Sequence, residues 1–215
     1  MKKIVLPIVI MTITLFAFES NAQKKGGKSK GLSEGTILLD GYYGYGNLYN
    51  AIFKAIVSNN SESTFSSIGP LGIRGEYLLS DKIGLGIDIG YNSSKIQYKE
   101  SGFDANMNLV NYDASLLTSK LGTMLTFNYH FINNSKFDSY FVFGLGYGAR
   151  TFTAKSDYVG YVSPTVKSSF PVASKLGFGF RYFFTENIGM NLALGVGQGG
   201  LVNAGITAKL ANIRR

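Results

Sequence analysis

The sequence predicts an all-β fold, an eight-stranded antiparallel up-and-down transmembrane β-barrel. Three observations lead there. Apolar residues alternate at period 2 in eight segments. The connections between those segments are tight and long by turns. The face opposite the bulky apolar one is built of glycine, small polar residues and charges.

The chain opens MKKIVLPIVIMTITLFAFESNAQ, with Lys2 and Lys3 ahead of an apolar run from Ile4 to Phe18 and small residues at Ser20 and Ala22. That is the pattern of a secretory signal peptide over residues 1–22, and the run is shorter than the roughly 20 apolar residues a spanning helix needs. Residues 23–34 read as a basic periplasmic N-terminal tail and residues 35–215 as the barrel. There is no cysteine, which removes disulfides, thiolate metal sites and a cysteine nucleophile. The 27 glycines disfavour long helices.

The alternating segments run near 36 to 46, 69 to 79, 83 to 98, 118 to 131, 139 to 153, 172 to 184, 188 to 197 and 202 to 210. In the third, Ile83, Leu85, Ile87, Ile89 and Tyr91 share one face, and Gly84, Gly86, Asp88, Gly90 and Asn92 share the other. Met190, Leu192, Leu194 and Val196 repeat the pattern opposite Gly189, Asn191, Ala193 and Gly195. A glycine face makes a poor solvated exterior and a good narrow interior, so the bulky face is expected outside, against lipid. The inner parity then collects Asp40, Arg74, Glu76, Asp88, Lys120, Arg150, Lys175, Arg181 and Lys209, together with Tyr42, Leu78 and Met124. A basic residue facing lipid at the midplane costs about 2 to 4 kcal/mol, so these charges are expected to face inward and pair. On the same parity Ile87 should reject arginine, and Gly86 should admit serine.

The connections at 80–82, 132–138 and 185–187 are tight, while those at 47–68, 99–117 and 154–171 are long. A membrane meander with one end in a narrow compartment has this arrangement. The exception is Gly195–Gly200, GVGQGG, which matches the spacing of a dinucleotide-binding loop. Such a loop needs a helix after it, and here Val202, Ala204, Ile206, Ala208 and Leu210 continue at strand period, so GVGQGG is read as the last outer hairpin. Lipid-facing aromatics come last on upward strands (Tyr43, Tyr45, Tyr91, Tyr147) and last on downward strands (Tyr77, Tyr129, Phe131, Tyr182, Phe184), which makes two belts at opposite membrane surfaces.

In this topology and patterning, over roughly residues 35 to 210, the chain resembles the small eight-stranded bacterial outer-membrane β-barrels of the OmpA and OmpX type. The resemblance implies an integral protein of the bacterial cell outer membrane, with both termini periplasmic and with membrane lipids and the outer-membrane assembly machinery as partners. Such barrels usually end their last strand on an aromatic residue, and this chain ends it at Lys209-Leu210-Ala-Asn-Ile-Arg-Arg215, where Leu210 stands in that place.

No constellation for catalysis, cofactor binding or metal binding emerges. His130, the only histidine, lies on the inner parity one residue before the periplasmic end of its strand, whereas lipid-modifying barrel enzymes work at the outer leaflet. Ser-Lys-Leu-Gly occurs at Ser119 and again at Ser174, but neighbouring strand residues point to opposite faces, so neither serine meets its own lysine. Lys120 and Lys175 should instead face acids such as Asp40 or Asp88. Asp104 and Asp113 are too sparse for a calcium site. Eight strands enclose a bore that side chains fill, against a general diffusion pore. Leu48–Val57 has the period of a short amphipathic helix at the membrane surface, with a continuation of the first strand as the equal alternative.

After the signal, 19 bases face 12 acids, and six of those bases sit at the ends, at Lys24, Lys25, Lys28, Lys30, Arg214 and Arg215. The charge therefore describes two tails and not a nucleic-acid face. The expected role is structural or surface-interacting, without catalysis, toward an unidentified extracellular or periplasmic protein. A small gated pore and a lipid-modifying enzyme are the alternatives.

Overall fold

The alternating segments pair with their neighbours in chain order until the last closes on the first. In a computed structural model, which describes residues 31–45, 55, 63–104, 106–158 and 161–212, they are β1 (Thr36–Tyr45), β2 (Thr64–Leu78), β3 (Ile83–Phe103), β4 (Leu109–Asn133), β5 (Phe137–Ser156), a three-residue β6 (Thr165–Lys167), β7 (Val172–Phe183), β8 (Ile188–Gly197) and β9 (Val202–Asn212). The ladder order is β4-β3-β2-β1-β9-β8-β7-β5; β4 also pairs with β5, which closes the ring, and β6 adds to the free side of β5. The signal segment, the basic residues at 24–30 and 214–215, and Leu48–Val57 apart from Ala55 lie outside the described residues.

Two cross-strand rows leave Tyr42 in opposite directions around the ring. One passes Gly72, Gly90 and Gly122 and reaches β5 at Gly148; the other passes Gly205, Asn191 and Arg181 and reaches β5 at Asp138, ten residues away. That offset is the shear of the closed sheet. With eight strands it gives a tilt of about 40° and an interior that side chains fill.

The parity holds all round. Ile87, Leu121, Leu125, Leu145, Phe178 and Val196 are exposed on the outside, with Leu125 71% and Ile87 53% accessible, while Asp40, Arg74, Glu76, Asp88, Lys175 and Arg181 are buried inside. Outward tyrosines stand where expected, but Tyr91 and Tyr147 do not end their strands. β3 runs on to Phe103 and β5 to Ser156. The belt therefore marks a level on the barrel and not the strand ends.

The largest departure lies above that level. Residues 99–117, expected as a loop, are mostly the continuing β3–β4 hairpin, whose register runs unbroken from Ile83↔Tyr129 to Phe103↔Leu109. Together with the upper part of β2, β5 and β6 it forms a flange on one side of the barrel; among the described residues β1, β7, β8 and β9 contribute no comparable extension.

At the opposite end, residues expected in the tail pack against the barrel. Leu32 joins Leu38, Leu78 and Phe183 in an apolar floor. Asn133 holds it by accepting the Leu32 N–H at 2.6 Å and donating to the Leu32 carbonyl at 2.6 Å. Lys209 stands over the Phe183 ring at 5.6 Å.

One expectation fails inside the barrel. A Cβ on Gly86 would lie 2.6 Å from the Gly75 carbonyl oxygen and 2.7 Å from Thr126 Oγ1, so the small face is full and does not admit serine without movement.

Candidate functional site

Inward positions at one depth on β1, β2, β3, β4, β5 and β7 bring the charges together. Arg181 is their hub. Its Nη2 donates to Asp40 Oδ2 at 2.8 Å and Glu76 Oε2 at 2.6 Å, and its Nη1 donates to Asp138 Oδ2 at 3.0 Å. Arg74 donates through Nε to Asp88 Oδ2 at 3.3 Å and through Nη1 to the Tyr140 hydroxyl at 2.6 Å, with Asp40 3.5 Å away. Lys175 Nζ reaches Asp88 at 3.2 Å, the Tyr42 hydroxyl donates to Asp88 Oδ1 at 2.7 Å, and the Thr207 hydroxyl donates to Asp40 at 2.5 Å.

His130 lies inside this network and not at a solvated rim. Its Nδ1 is 2.6 Å from Asp138 and its Nε2 is 2.9 Å from Glu76. An imidazolium there donates to both carboxylates and brings the cluster to four cations, Arg74, His130, Lys175 and Arg181, against four anions, Asp40, Glu76, Asp88 and Asp138. Burying charges is costly, and only this degree of mutual pairing offsets the loss of water. With both ring nitrogens engaged, His130 has none to offer a substrate.

Lys120 departs from the expectation that it would face an acid. Lys120 donates to the Val172 carbonyl at 3.1 Å, and Arg150 donates to the Thr118 hydroxyl at 3.2 Å. Ser119 and Ser174 point outward while their neighbouring lysines point inward, so the repeated Ser-Lys-Leu-Gly forms no local dyad.

Three of the interior side chains that the sequence reading did not name bear most on the network. Asp138 and Tyr140 share the inward parity of β5 with Val142 and Gly144, but Asp138 falls in the 132–138 stretch read as a tight connection, because β5 begins at Phe137. The third is Gln198, in the middle of GVGQGG. Gly197, Gly199 and Gly200 take φ of +105°, +97° and +78°, a left-handed course that glycine tolerates, and the turn so formed sends Gln198 down into the barrel. Its Nε2 donates to Asp88 Oδ1 at 2.9 Å and approaches the Gly122 carbonyl at 3.4 Å.

The glycine row explains the room for it. Gly72, Gly90, Gly122 and Gly148 lie side by side across β2 to β5. A Cβ on Gly72 would strike the Tyr42 hydroxyl, one on Gly90 or Gly122 would strike Gln198, and one on Gly148 would strike Lys120. The row is a trough filled by Tyr42 at its end and by side chains from other levels. Above it a cleft of about 30 Å³, room for about two waters, is lined by Asn92, Lys120 and Gln198, and the side-chain amide oxygens of Asn92 and Gln198 have no hydrogen-bond partner among the described residues. Among the described residues no cluster of metal-ligating side chains forms. At the flange tip Asp104 Oδ1 accepts the N–H groups of Asn106 at 2.8 Å and Asn108 at 2.9 Å, so this acid closes its own turn. Those bonds, with the Asn108 side chain, hold its carboxyl below the usual range.

No family model and no curated protein matches the chain. Among solved structures it is similar to the N-terminal β-barrel domain of Pseudomonas aeruginosa OprF, at 15% identity over 82% of this chain and 98% of that one, with a TM-score of 0.44. It is similar also to E. coli outer membrane protein W, at 13% identity over 82% and 98% with a TM-score of 0.38. A third is Ail, the attachment invasion locus protein of Yersinia pestis, solved with the heparin analogue sucrose octasulfate, at 12% identity over 81% and 94% with a TM-score of 0.37.

Proposed function

We propose that this chain is an integral outer-membrane barrel with its short turns and both termini in the periplasm, a closed interior, and a flange that presents an interaction surface outside the cell. The observation that carries the reading is that β3, β4 and β5 run far past the tyrosine level into a sheet with large exposed side chains. Phe103, Met107 and Leu109 are all more than half accessible there. Monomeric soluble proteins rarely leave an apolar patch beyond a few hundred Å² uncovered, so the apolar girdle below the flange calls for lipid and the flange itself suits a partner.

The interior supports a role without chemistry or free conduction. The bore is crossed by Arg74, Arg181, Tyr140 and His130, all at most 2% accessible, and each is held by more than one bond. The experiment uses the purified mature chain. In planar bilayers it should insert without a steady conductance, and its unboiled form should migrate apart from the boiled form in mild-detergent gels. Stable channel openings would replace this reading with the pore, and equal mobility together with solubility in plain buffer would remove the membrane altogether.

A further inference from the structure

The face of the flange that continues the barrel's inner wall carries Ile96, Tyr98 and Glu100 on β3, opposite Leu116, Ala114 and Tyr112 on β4. Low on this face Ile96 and Ala114 are buried; at its top Glu100 is exposed, and Tyr158 and Tyr161 are 43% and 41% accessible. Strand pairing explains why rings gather there. β5 stops at Ser156, opposite Ala114, but the Asp157 N–H donates to the Asp113 carbonyl at 3.0 Å, so the chain keeps register one step further and Tyr158 arrives beside Tyr112. Their ring centroids are 5.2 Å apart. Glycine at position 102 lets the Tyr112 ring lie across β3, since a Cβ there would be 2.7 Å from that ring. The Tyr158 hydroxyl donates to the Phe103 carbonyl at 3.3 Å, and the Tyr161 N–H donates to the Tyr158 carbonyl at 3.0 Å, which turns the chain back.

Glu100 stands among these rings, directly opposite Tyr112 and two residues above Tyr98. Its carboxylate faces the Tyr98 hydroxyl. Burial, and after it this carboxylate, push that hydroxyl above the usual phenol range, with Tyr161 and Tyr112 adding to the effect. At the inward strand positions above Lys120 and Arg150, Glu100 is the one charge among the described residues. The flange lysines Lys95, Lys99, Lys155 and Lys167 all lie on the outward parity, across the sheet from it.

From this arrangement we infer that the cluster of Tyr98, Tyr112, Tyr158 and Tyr161 receives an arginine side chain of a partner protein, with Glu100 as its counter-ion. A guanidinium is planar and weakly hydrated, so it stacks on a tyrosine face while its fork of N–H groups meets a carboxylate. An ammonium is a strongly hydrated point charge and gains less from the rings. Tyrosine and arginine are also the residues that concentrate binding energy at the centre of protein interfaces. The inference names the partner chemistry for the interaction surface proposed above and rests on that reading.

The test takes the folded mature chain, isotope-labelled, in detergent micelles and follows its backbone amide resonances as an acetylated and amidated Gly-Arg-Gly peptide is added. The same peptide with citrulline, lysine or trimethyllysine in place of arginine, and the neutral disaccharide maltose, are run beside it. The arginine peptide should move the resonances of Glu100, Ser101 and Tyr112 and bind about tenfold tighter than the citrulline peptide, which has the same shape without the charge. Glu100→Gln should weaken it about tenfold, and Tyr112→Leu about fivefold, the share of one ring. Asp113→Asn, on the outward face, should leave it unchanged. Equal or tighter binding of the citrulline, lysine or trimethyllysine peptide, movement of these resonances by maltose and not by arginine, or indifference to Glu100→Gln would each overturn the assignment. Heat-dependent gel mobility of every variant separates the two readings: if the wild type shifts normally yet ignores the arginine peptide, the site fails and the barrel stands. Absence of the shift in the wild type itself removes the membrane reading first.

Discussion

The barrel below the tyrosine level and the flange above it are made of the same strands and obey opposite rules. Below, each strand presents one face to apolar surroundings and one to an enclosed ionic network, so nearly every side chain is committed. Above, β3 to β6 form a sheet whose outward face carries Ser, Thr and Lys beside Leu117, while Ile96, Ala114 and Thr118 on its other face are buried. The backbone ladder continues across the boundary without a break in β3–β4. Strand pairing is thus insensitive to the change of surroundings, and side-chain chemistry carries all of it. Substitutions of equal size should be costly in the lower region and mild in the upper one.

The largest effect is expected at Arg181. Arg181→Met leaves Asp40, Glu76 and Asp138 buried without their common cation, a loss of about 3 to 5 kcal/mol. Urea unfolding of the refolded chain in detergent checks it, and a loss under about 1 kcal/mol would show that the network is not held by that residue. Next is the outer girdle. Ile87→Arg, midway between the two tyrosine levels, should cost about 2 to 4 kcal/mol and lower the yield of the heat-shifted form. Leu109→Arg on the flange should leave it within about 0.5 kcal/mol of the parent, so equal losses would erase the contrast between the regions.

Gln198→Ala should lie between them. It removes one neutral donor from Asp88, which keeps Tyr42, Arg74 and Lys175, so the expected cost is about 1 kcal/mol. Faster amide exchange confined to Gly197–Leu201 would agree with it, and exchange spreading into β3 would mean that Gln198 supports more than its own turn.

The smallest effect belongs to Asp104. Its carboxyl is held below the usual range by the donors of Asn108, so its stabilisation of the turn is complete above the ordinary carboxylate range and is lost as pH falls through the lowered value. Amide exchange at Asn106 and Asn108 should quicken at low pH, and Asp104→Asn should remove that dependence. Acceleration throughout the barrel would contradict a local role.

What could be read in the sequence divides along the same boundary. Lipid on one side and a filled bore on the other impose a clean period 2, so Ile83–Tyr91 and Met190–Val196 announced their strands, their parity and most of the ion network. Past Ser93 the alternation persists in part, with Val110, Tyr112, Ala114 and Leu116 opposite Asn111, Asp113 and Ser115, yet Ser, Lys and Glu interrupt it on the partner strand, and 99–117 passed for a loop although it is largely hairpin. Asp138 was hidden because β5 starts at Phe137, inside the stretch 132–138 that was read as a turn. Gln198 was hidden because a turn residue's direction depends on the three positive-φ glycines around it, which no periodicity encodes. Gly86 was misjudged in another way: parity named its face, but how full that face is depends on Thr126 and Gly75 across the ladder.

The most direct measurement uses the absence of cysteine from the chain. Single cysteines carrying a nitroxide label can be placed outward at Leu125, Leu145 and Leu194, with inner-face controls at Met124, Val142 and Ala193, in the mature barrel reconstituted into bilayers. Collisions with oxygen dissolved in lipid should be frequent at the three outward sites. Collisions with a water-soluble nickel complex should be rare there and rare also at the inner sites, which are enclosed. Frequent nickel collisions at Leu125, Leu145 and Leu194, or lipid-like oxygen access at Met124, Val142 and Ala193, would contradict a lipid-facing exterior around a closed ionic core.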